Sequence, residues 1–232
     1  MIGERILNYK VESLLGEGGV GKVYLATHTQ LGRKVAIKAL NPDLVNNHEV
    51  RERFRNEATT LSSLQHVNII TLYDYLEEDR GLFLIMEYAD GNSLDKYILR
   101  STGLIPEQKV IFFFNQLLEG VAYAHNKGII HRDIKPSNII ITKDADVKIL
   151  DFGIAKILKE GQRNITKTGT KLGTVLYMSP EQVEGKFVDK RTDIYSLGVT
   201  LFEMLAGRPP YNEADLTEYA VYRKFWMNPY PV

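Results

Sequence analysis

A carboxylate, an ammonium group and an amide stand close together in the segment His131-Arg132-Asp133-Ile134-Lys135-Pro136-Ser137-Asn138. Asp133 can orient a hydroxyl group and accept its proton. Lys135 can neutralise a phosphoryl group during transfer, and Asn138 offers an oxygen ligand for Mg²⁺. Each of these residues alone would more often be a cap or a turn former. Their occurrence together indicates phosphoryl transfer.

A second oxygen ligand follows a short apolar strand. The strand covers residues 147–150, and Asp151-Phe152-Gly153 comes directly after it. Because Mg²⁺ prefers hard oxygen ligands, a carboxylate at this point complements the amide of Asn138. Asn138 and Asp151 are therefore the predicted metal ligands.

Three glycines, Gly16, Gly18 and Gly21, stand between two predicted strands in the sequence Gly-Glu-Gly-Gly-Val-Gly. A turn of this kind lets backbone N–H groups close over phosphate oxygens without obstruction by side chains. A purely structural hairpin would account for the pattern about as often. A dinucleotide-binding fold would place a helix after the glycines, whereas residues 22–28 have the pattern of a strand.

A lysine and a glutamate form the next candidate pair. Strand alternation puts Ala36 and Lys38 on one face of the segment Val-Ala-Ile-Lys. Glu57 falls on the apolar stripe of the following helix, with Phe54 and Leu61, where an unpaired charge is costly. We therefore predict a Lys38–Glu57 ion pair; the alternative is two separate surface charges.

The predicted elements that position these groups change in character near residue 90. Alternation typical of strands dominates before it, and helical spacing dominates after it. One helix interrupts the strands: Asn46 or Asn47 can cap it, and its apolar stripe is Val50, Phe54, Ala58, Leu61 and Leu64. We predict an α+β chain with a small β-rich lobe over residues 1–86, a connection over 87–91 and a larger, mainly helical lobe over 92–232.

Two helices of the larger lobe have clear signals. The first has Pro106 in its first turn and Gly128 at its end, where a left-handed residue is expected. The second covers residues 194–205, is apolar nearly all round, and is therefore predicted to be buried. Asp193, directly before it, is a candidate helix cap.

Composition excludes several classes of protein. The 232 residues include 29 Lys and Arg against 29 Asp and Glu, and no Cys. Zero net charge gives no reason to expect nucleic acid as a partner, and the lack of Cys fits a reducing compartment. The longest apolar runs fall far short of the roughly 20 residues of a membrane span. We expect a globular chain without a membrane segment, located in the cytoplasm.

Together, these motifs resemble those of the eukaryotic-type Ser/Thr protein kinases, and the sequence as a whole is similar to those of the bacterial members of that family. The resemblance runs from about Tyr9 to Pro210. It implies a bilobal protein-kinase-like fold, with a small antiparallel-sheet lobe carrying one helix and a larger helical lobe. It also implies ATP as the phosphoryl donor and Mg²⁺ as the metal, with Mn²⁺ as the other candidate.

The resemblance assigns roles to the residues above. Gly16, Gly18 and Gly21 cover the nucleotide phosphates, Lys38 holds them and is oriented by Glu57, Asp133 is the catalytic base, Lys135 contacts phosphate, and Asn138 and Asp151 ligate metal. The adenine site would be formed by Val23, Ala36, Met86, Glu87, Ala89 and Ile140. Lys135 after Asp-Ile favours Ser/Thr over Tyr as the phosphate acceptor.

Regulation is implied for the segment between Asp151 and Glu181. Arg132 marks the kinases whose cationic pocket is often filled by a phosphorylated residue of this segment. The candidates are Thr166, Thr168 and Thr170, of which the first two are favoured. Asp193 resembles the family aspartate that braces the catalytic loop, whereas His125 is assigned to packing or to the surface.

Protein substrates carrying Ser or Thr are implied, and a kinase dimer is a candidate arrangement for autophosphorylation in trans.

Family members continue for roughly 30 residues beyond the equivalent of Val232, the length of about two helices with their loops. We therefore expect a C-terminally truncated catalytic domain with exposed apolar surface, from a protein that could carry a membrane anchor downstream. Two alternatives stay open: an ATP-binding scaffold or pseudokinase that acts through protein interaction, and a small-molecule kinase with similar catalytic-loop chemistry.

Overall fold

The computed structural model describes residues 1–18, 21–45, 47–78, 81–100, 104–152 and 175–211. The chain divides into two compact units, Met1–Asp90 and Gly91–Val232. This division falls inside the range 87–91 that the sequence suggested as a connection. Gly153, Thr166, Thr168 and Thr170 lie outside the described residues.

The first unit contains an antiparallel sheet of six strands in the order β1-β2-β3-β4-β6-β5. The strands are β1 Arg5–Ile6, β2 Tyr9–Glu17, β3 Gly21–His28, β4 Lys34–Leu40, β5 Leu72–Glu78 and β6 Gly81–Glu87. Their alternation buries one set of side chains as a core, which includes Val11, Ala26, Val35, Ile37 and Ile85. A 3-10 turn at Pro42–Leu44 leads from β4 to the helix of this unit.

That helix, α1, spans His48–Ser62. The side chain of Asn47 accepts a hydrogen bond from the backbone N–H of Val50, so Asn47 is the cap, and Asn46 lies outside the described residues. The predicted apolar stripe is buried at Phe54, Ala58 and Leu61. This stripe attaches α1 to the sheet and determines which way Glu57, between Phe54 and Leu61, faces.

The second unit combines a three-stranded sheet with helices. The antiparallel strands, in the order β7-β8-β9, are β7 Gly91–Ser93, β8 Ile139–Thr142 and β9 Val147–Ile149. The helices are α2 Leu94–Arg100, α3 Glu107–Asn126, α4 Pro180–Val183 and α5 Lys190–Ala206, and a 3-10 turn covers Pro136–Asn138. Pro106 occupies the cap position of α3 rather than its first turn, and Gly128 has a φ of 74° beyond its end.

The helix α5 differs from the prediction in two ways. It begins four residues earlier than expected, because Asp189 accepts the backbone N–H of Arg191 and caps it; Asp193 is therefore not the cap. It is also not buried all round: Ile194 is 58% exposed, and Phe202 and Leu205 are exposed as well. The buried face combines apolar residues with polar ones such as Ser196, whose hydroxyl donates to the carbonyl of Tyr177 in the same unit, and apolar periodicity cannot detect such a residue.

Among the helices of the described ranges, none combines the length and the apolar character needed to cross a bilayer.

Candidate active site

The predicted ion pair of the first unit is present. Lys38, on β4, donates from Nζ to Oε1 of Glu57, on α1, at 2.6 Å. The two side chains are only 14% and 12% exposed. A charge at this depth is costly without a partner, so each residue stabilises the other, and the pair joins α1 to the middle of the sheet.

The glycines lie where β2 turns into β3. The N–H of Gly18 donates to the carbonyl of Gly21 at 2.9 Å, and Gly16 pairs with Val23 across the two strands. A Cβ at Gly21 would lie 2.1 Å from the carbonyl oxygen of Ala39 on β4, whereas a Cβ at Gly16 would meet nothing within 4 Å. Gly21 is thus required by the close approach of β4, and the geometry agrees with both a structural hairpin and a phosphate-binding turn.

Five of the six residues predicted to contact adenine belong to the first unit. Ala36, Met86 and Ala89 are buried, and Val23 and Glu87 are half-buried. The carboxylate of Glu87 accepts the backbone N–H of Thr71 at 3.2 Å. Ile140, on β8, is half-buried in the second unit.

The second unit brings together Asp133, Lys135 and Asn138, the three residues of the segment 131–138 with predicted roles in phosphoryl transfer. The carboxylate oxygen Oδ2 of Asp133 lies 3.0 Å from Nδ2 of Asn138 and 2.9 Å from Nζ of Lys135. Nδ2 of Asn138 also donates to the carbonyl oxygen of Asp133 at 2.8 Å. The 3-10 turn over Pro136–Asn138 returns the chain toward Asp133, so sequence neighbours suffice to build this cluster.

The backbone beside Asp133 has an unusual conformation that a distant residue stabilises. Arg132 has a φ of 65°, in the left-handed region that residues with a Cβ seldom adopt. The fully buried carboxylate of Asp193 accepts the N–H of Arg132 and the N–H of His131, each at 2.8 Å. The brace that the kinase resemblance implied for Asp193 is therefore present.

Sequence reasoning missed the contribution of His125. This residue lies in the last turn of α3, and its Nε2 is 2.7 Å from Oδ2 of Asp193. It therefore belongs to the network that holds His131 and Arg132. No local pattern marks it, because its partner is 68 positions away.

The two predicted metal ligands lie at the same end of the β8–β9 hairpin. Ile139 pairs with Ile149, and the N–H of Leu150 donates to the carbonyl of Asn138 at 2.9 Å, directly before Asp151. Because Nδ2 of Asn138 makes both bonds to Asp133, the amide oxygen is the atom that this residue would offer a cation. Asp151 has a φ of 44°, a conformation that a functional constraint can maintain.

This donor set suits Mg²⁺. Within the described part of the chain, no group of three or more His, Cys, Asp or Glu side chains is arranged to hold a metal ion. Mg²⁺ does not require such a cage, because it keeps several waters and binds through one or two protein oxygens together with phosphate oxygens. One amide oxygen and one carboxylate fit that requirement.

A second buried carboxyl group lies on α5. Glu203 is 9% exposed, and its carboxylate accepts a hydrogen bond from the hydroxyl of Tyr177. Burial raises the pKa of Glu203, and the nearby carboxylate of Asp95 adds to this increase, while the bond from Tyr177 opposes it. This group is thus more readily protonated than an exposed glutamate.

The sequence profile described as "Protein kinase domain" matches residues 9–228. The chain is 44% identical over 222 residues to the serine/threonine-protein kinase PrkC of Bacillus subtilis (strain 168), an alignment that covers 95% of this chain and 34% of that protein. It is 40% identical over 207 residues to the serine/threonine-protein kinase PknB of Mycolicibacterium smegmatis, covering 88% of this chain and 33% of that one. The chain therefore spans about a third of the length of these relatives.

A solved structure of the same kind has a similar fold. The crystal structure of a mutant of the Mycobacterium tuberculosis PknI kinase domain matches with a TM-score of 0.71 at 29% identity, covering 92% of this chain and 80% of that one. The likeness confirms the predicted protein-kinase-like fold. From the matched profile, the relatives and the fold, the chain belongs to the protein kinase domain family, among bacterial kinases of the serine/threonine class.

Proposed function

We propose that this chain transfers the γ-phosphoryl group of ATP to serine and threonine hydroxyls of proteins. The observation that carries the proposal is the cluster around Asp133, in which Nδ2 of Asn138 and Nζ of Lys135 both lie within 3.0 Å of one carboxylate oxygen. These two contacts orient a base and put a cation beside it. Phosphoryl transfer to a hydroxyl group needs both.

In the proposed reaction, Asp133 accepts the proton of the acceptor hydroxyl group. The hydroxyl oxygen forms a bond to the γ-phosphorus while the bond from that phosphorus to the β,γ-bridging oxygen breaks, and ADP leaves with the electron pair. The ammonium group of Lys135 stabilises the negative charge of the phosphoryl group during transfer. Asn138 keeps the carboxylate of Asp133 in one orientation through its two hydrogen bonds.

The first unit supplies the groups proposed to bind the nucleotide. Lys38 contacts phosphate oxygens, and Glu57 prevents the lysine side chain from moving to other acceptors by holding it at 2.6 Å. The backbone of the turn that contains Gly16 and Gly18 closes over the phosphates. Asn138 and Asp151 would hold Mg²⁺, which supplies positive charge to the β- and γ-phosphate oxygens.

Regulation is proposed to act through Arg132. Autophosphorylation of Thr166 or Thr168 would create a dianion that pairs with the guanidinium group of Arg132. A transient dimer of two copies would perform this reaction in trans. A cytoplasmic location, where ATP and protein substrates are available, agrees with this activity.

The test is to incubate the purified chain with Mg-ATP and to map phosphate by intact-mass and peptide mass spectrometry. We expect phosphate on Thr166 or Thr168 in the wild type and none in Asp133→Asn or Lys38→Met. Asp144→Asn, an exposed carboxylate of the β8–β9 turn, and Lys109→Met, an exposed position of α3, are the matched controls and should retain activity.

Three outcomes would contradict the proposal. Phosphotransfer at the wild-type rate by Asp133→Asn would remove the proposed base from the mechanism. ATP binding by the wild type without any transfer to protein would favour the scaffold interpretation, and transfer to small molecules alone would favour a small-molecule kinase.

A further inference from the structure

The side chain of Gln182, on α4, joins this helix to the loop that carries Asp133. Its Nε2 donates to the carbonyl oxygen of Arg132 at 2.8 Å. Its Oε1 accepts the backbone N–H of Ser179, the cap residue of α4, at 3.1 Å. One end of the amide is a donor and the other an acceptor, so the two partners determine the orientation of the group.

The carbonyl of Arg132 belongs to the peptide group that leads directly into Asp133. The N–H on the other side of Arg132 is bound by Asp193 at 2.8 Å. Both peptide groups that flank this left-handed residue are therefore held by side chains, one by Asp193 and one by Gln182. A φ of 65° at a residue with a Cβ persists only where the surroundings enforce it.

The two side chains that hold the backbone of Arg132, those of Asp193 and Gln182, are themselves connected through α5. The hydroxyl of Thr192 donates its proton to Oε1 of Glu181 at 2.6 Å. The hydroxyl of Ser179 lies 3.1 Å from Oγ1 of Thr192 and must therefore be the donor in that contact. Thr192 directly precedes Asp193, and both are fully buried. A closed circuit of hydrogen bonds and covalent links thus runs from the Arg132 carbonyl through Gln182, Ser179, Thr192 and Asp193 back to the Arg132 N–H.

We propose that Gln182 is a positioning residue, which couples the segment Ser179-Pro180-Glu181 to Asp133 through the carbonyl of Arg132. The inference rests on the proposed kinase activity. It assigns Gln182 a part in catalysis even though this residue need not touch substrate or nucleotide. A change at the Ser-Pro-Glu segment would reach the base through this amide.

If Gln182 only capped α4, its mutants would respond differently from those of a residue that holds the Arg132 carbonyl. Glutamate at this position of a helix is as good a partner for the cap residue as glutamine, so a capping role alone would tolerate Gln182→Glu. The carboxylate, however, has no donor for the Arg132 carbonyl and would be repelled by it. Gln182→Lys makes the opposite change: its ammonium group can donate to that carbonyl, but it cannot accept the N–H of Ser179.

The experiment compares kcat and KM of Gln182→Glu and Gln182→Lys, with ATP and dephosphorylated casein as substrates. We expect Gln182→Glu to reduce kcat by tenfold or more and to change the KM for ATP by less than about threefold, because the phosphate-binding groups are untouched. Gln182→Lys should retain more of the wild-type kcat than Gln182→Glu. Equal or higher activity in Gln182→Glu would overturn the proposal.

Gln116 provides a matched control in the same unit. Its Nε2 donates to the carbonyl of Ala145 at 3.1 Å, and its Oε1 accepts the N–H of Val147 at 3.0 Å, so it makes the same kind of bridge away from Asp133. Gln116→Glu should lower the unfolding midpoint while leaving kcat unchanged. A loss of kcat in this variant equal to that in Gln182→Glu would mean that the effect is general destabilisation.

Hydrogen exchange separates this inference from the proposed function. In Gln182→Glu, the amides of residues 131–133 should exchange at least tenfold faster than in the wild type and in Gln116→Glu. This readout does not require activity. Absence of phosphotransfer in the wild type would refute the kinase proposal alone, whereas unchanged exchange at residues 131–133 would refute the coupling alone.

Discussion

The carboxylate of Asp193 accepts the backbone N–H of Arg132 at 2.8 Å, although 61 positions separate the two residues in the sequence. The same buried carboxylate accepts the N–H of His131 and contacts Nε2 of His125. Three polar partners compensate for the removal of this group from water. The conformation next to the proposed base thus depends on a helix that is distant in the chain.

Replacement of Asp193 by asparagine should damage both stability and activity. The amide would direct its NH₂ group at one of the backbone donors and leave that N–H without an acceptor. We expect the free energy of unfolding to fall by about 2 kcal/mol, as for loss of a hydrogen bond to a buried charged group, and phosphotransfer to fall by tenfold or more. Urea unfolding and the initial rate of ADP release measure the two effects, and Asp144→Asn is the control.

A double-mutant cycle on Lys38 and Glu57 should distinguish the effect of this ion pair on stability from its effect on activity. Glu57→Gln removes the charge partner of a lysine that is only 14% exposed. We therefore expect the free energy of unfolding to fall by about 2 kcal/mol, and the rate of phosphotransfer to fall as well. Adding Lys38→Met removes the ammonium charge that has lost Glu57, and should recover part of the stability while abolishing activity. Additive losses of stability in the double mutant would argue against a coupled pair. Glu12→Gln, an exposed carboxylate of β2, controls for loss of charge.

Two glycines of the β2–β3 turn should respond differently to alanine. In Gly21→Ala the new methyl group would overlap the carbonyl of Ala39, and we expect a loss of about 1–3 kcal/mol in unfolding free energy. In Gly16→Ala the methyl group meets no atom within 4 Å, so stability should change by less than about 0.5 kcal/mol. If the turn covers phosphates, Gly16→Ala should still raise the KM for ATP. An unchanged KM would favour the structural hairpin.

Glu203 should give the protein a pH dependence of stability that a glutamine removes. Burial raises the pKa of this carboxyl group, so between the ordinary glutamate value, about 4.3, and the raised value the folded chain holds a proton that the unfolded chain has lost. Stability should therefore fall as pH rises through this window. Urea unfolding of the wild type between pH 4 and 8 should show this slope, and Glu203→Gln should lack it. Glu119→Gln, an exposed position of α3, should keep the wild-type slope; if Glu203→Gln keeps it too, another group is responsible.

Short-range sequence patterns predicted the parts of the site that neighbouring residues build. Asp133, Lys135 and Asn138 meet because one 3-10 turn reverses the chain within the motif. The Lys38–Glu57 pair was predictable although the residues are distant, because a carboxylate on an apolar helical stripe requires a counter-charge.

Long-range hydrogen bonds were not predictable from the sequence. The contacts of His125 with Asp193 and of Gln182 with Arg132 depend on how separate helices pack, and neither residue type is unusual at its position. The exposure of Ile194 shows the same limit: composition suggested burial all round, whereas the hydrogen bonds of Asp193 and its neighbours decide which face of α5 is buried.

Two features of the proposed site depend on different parts of the fold: the β8–β9 hairpin determines the spacing of the predicted metal ligands, and α5 holds the backbone at Arg132. The register of the hairpin brings Asn138 and the residue before Asp151 together through two strands that are adjacent in the chain, and hairpins of this kind form in about 1–10 μs. The conformation at Arg132, in contrast, is held by a hydrogen bond to Asp193 on α5. A molecule in which α5 has locally opened would therefore keep the correct spacing for an ion and lose the aligned base, so ion affinity would outlast turnover as conditions become denaturing.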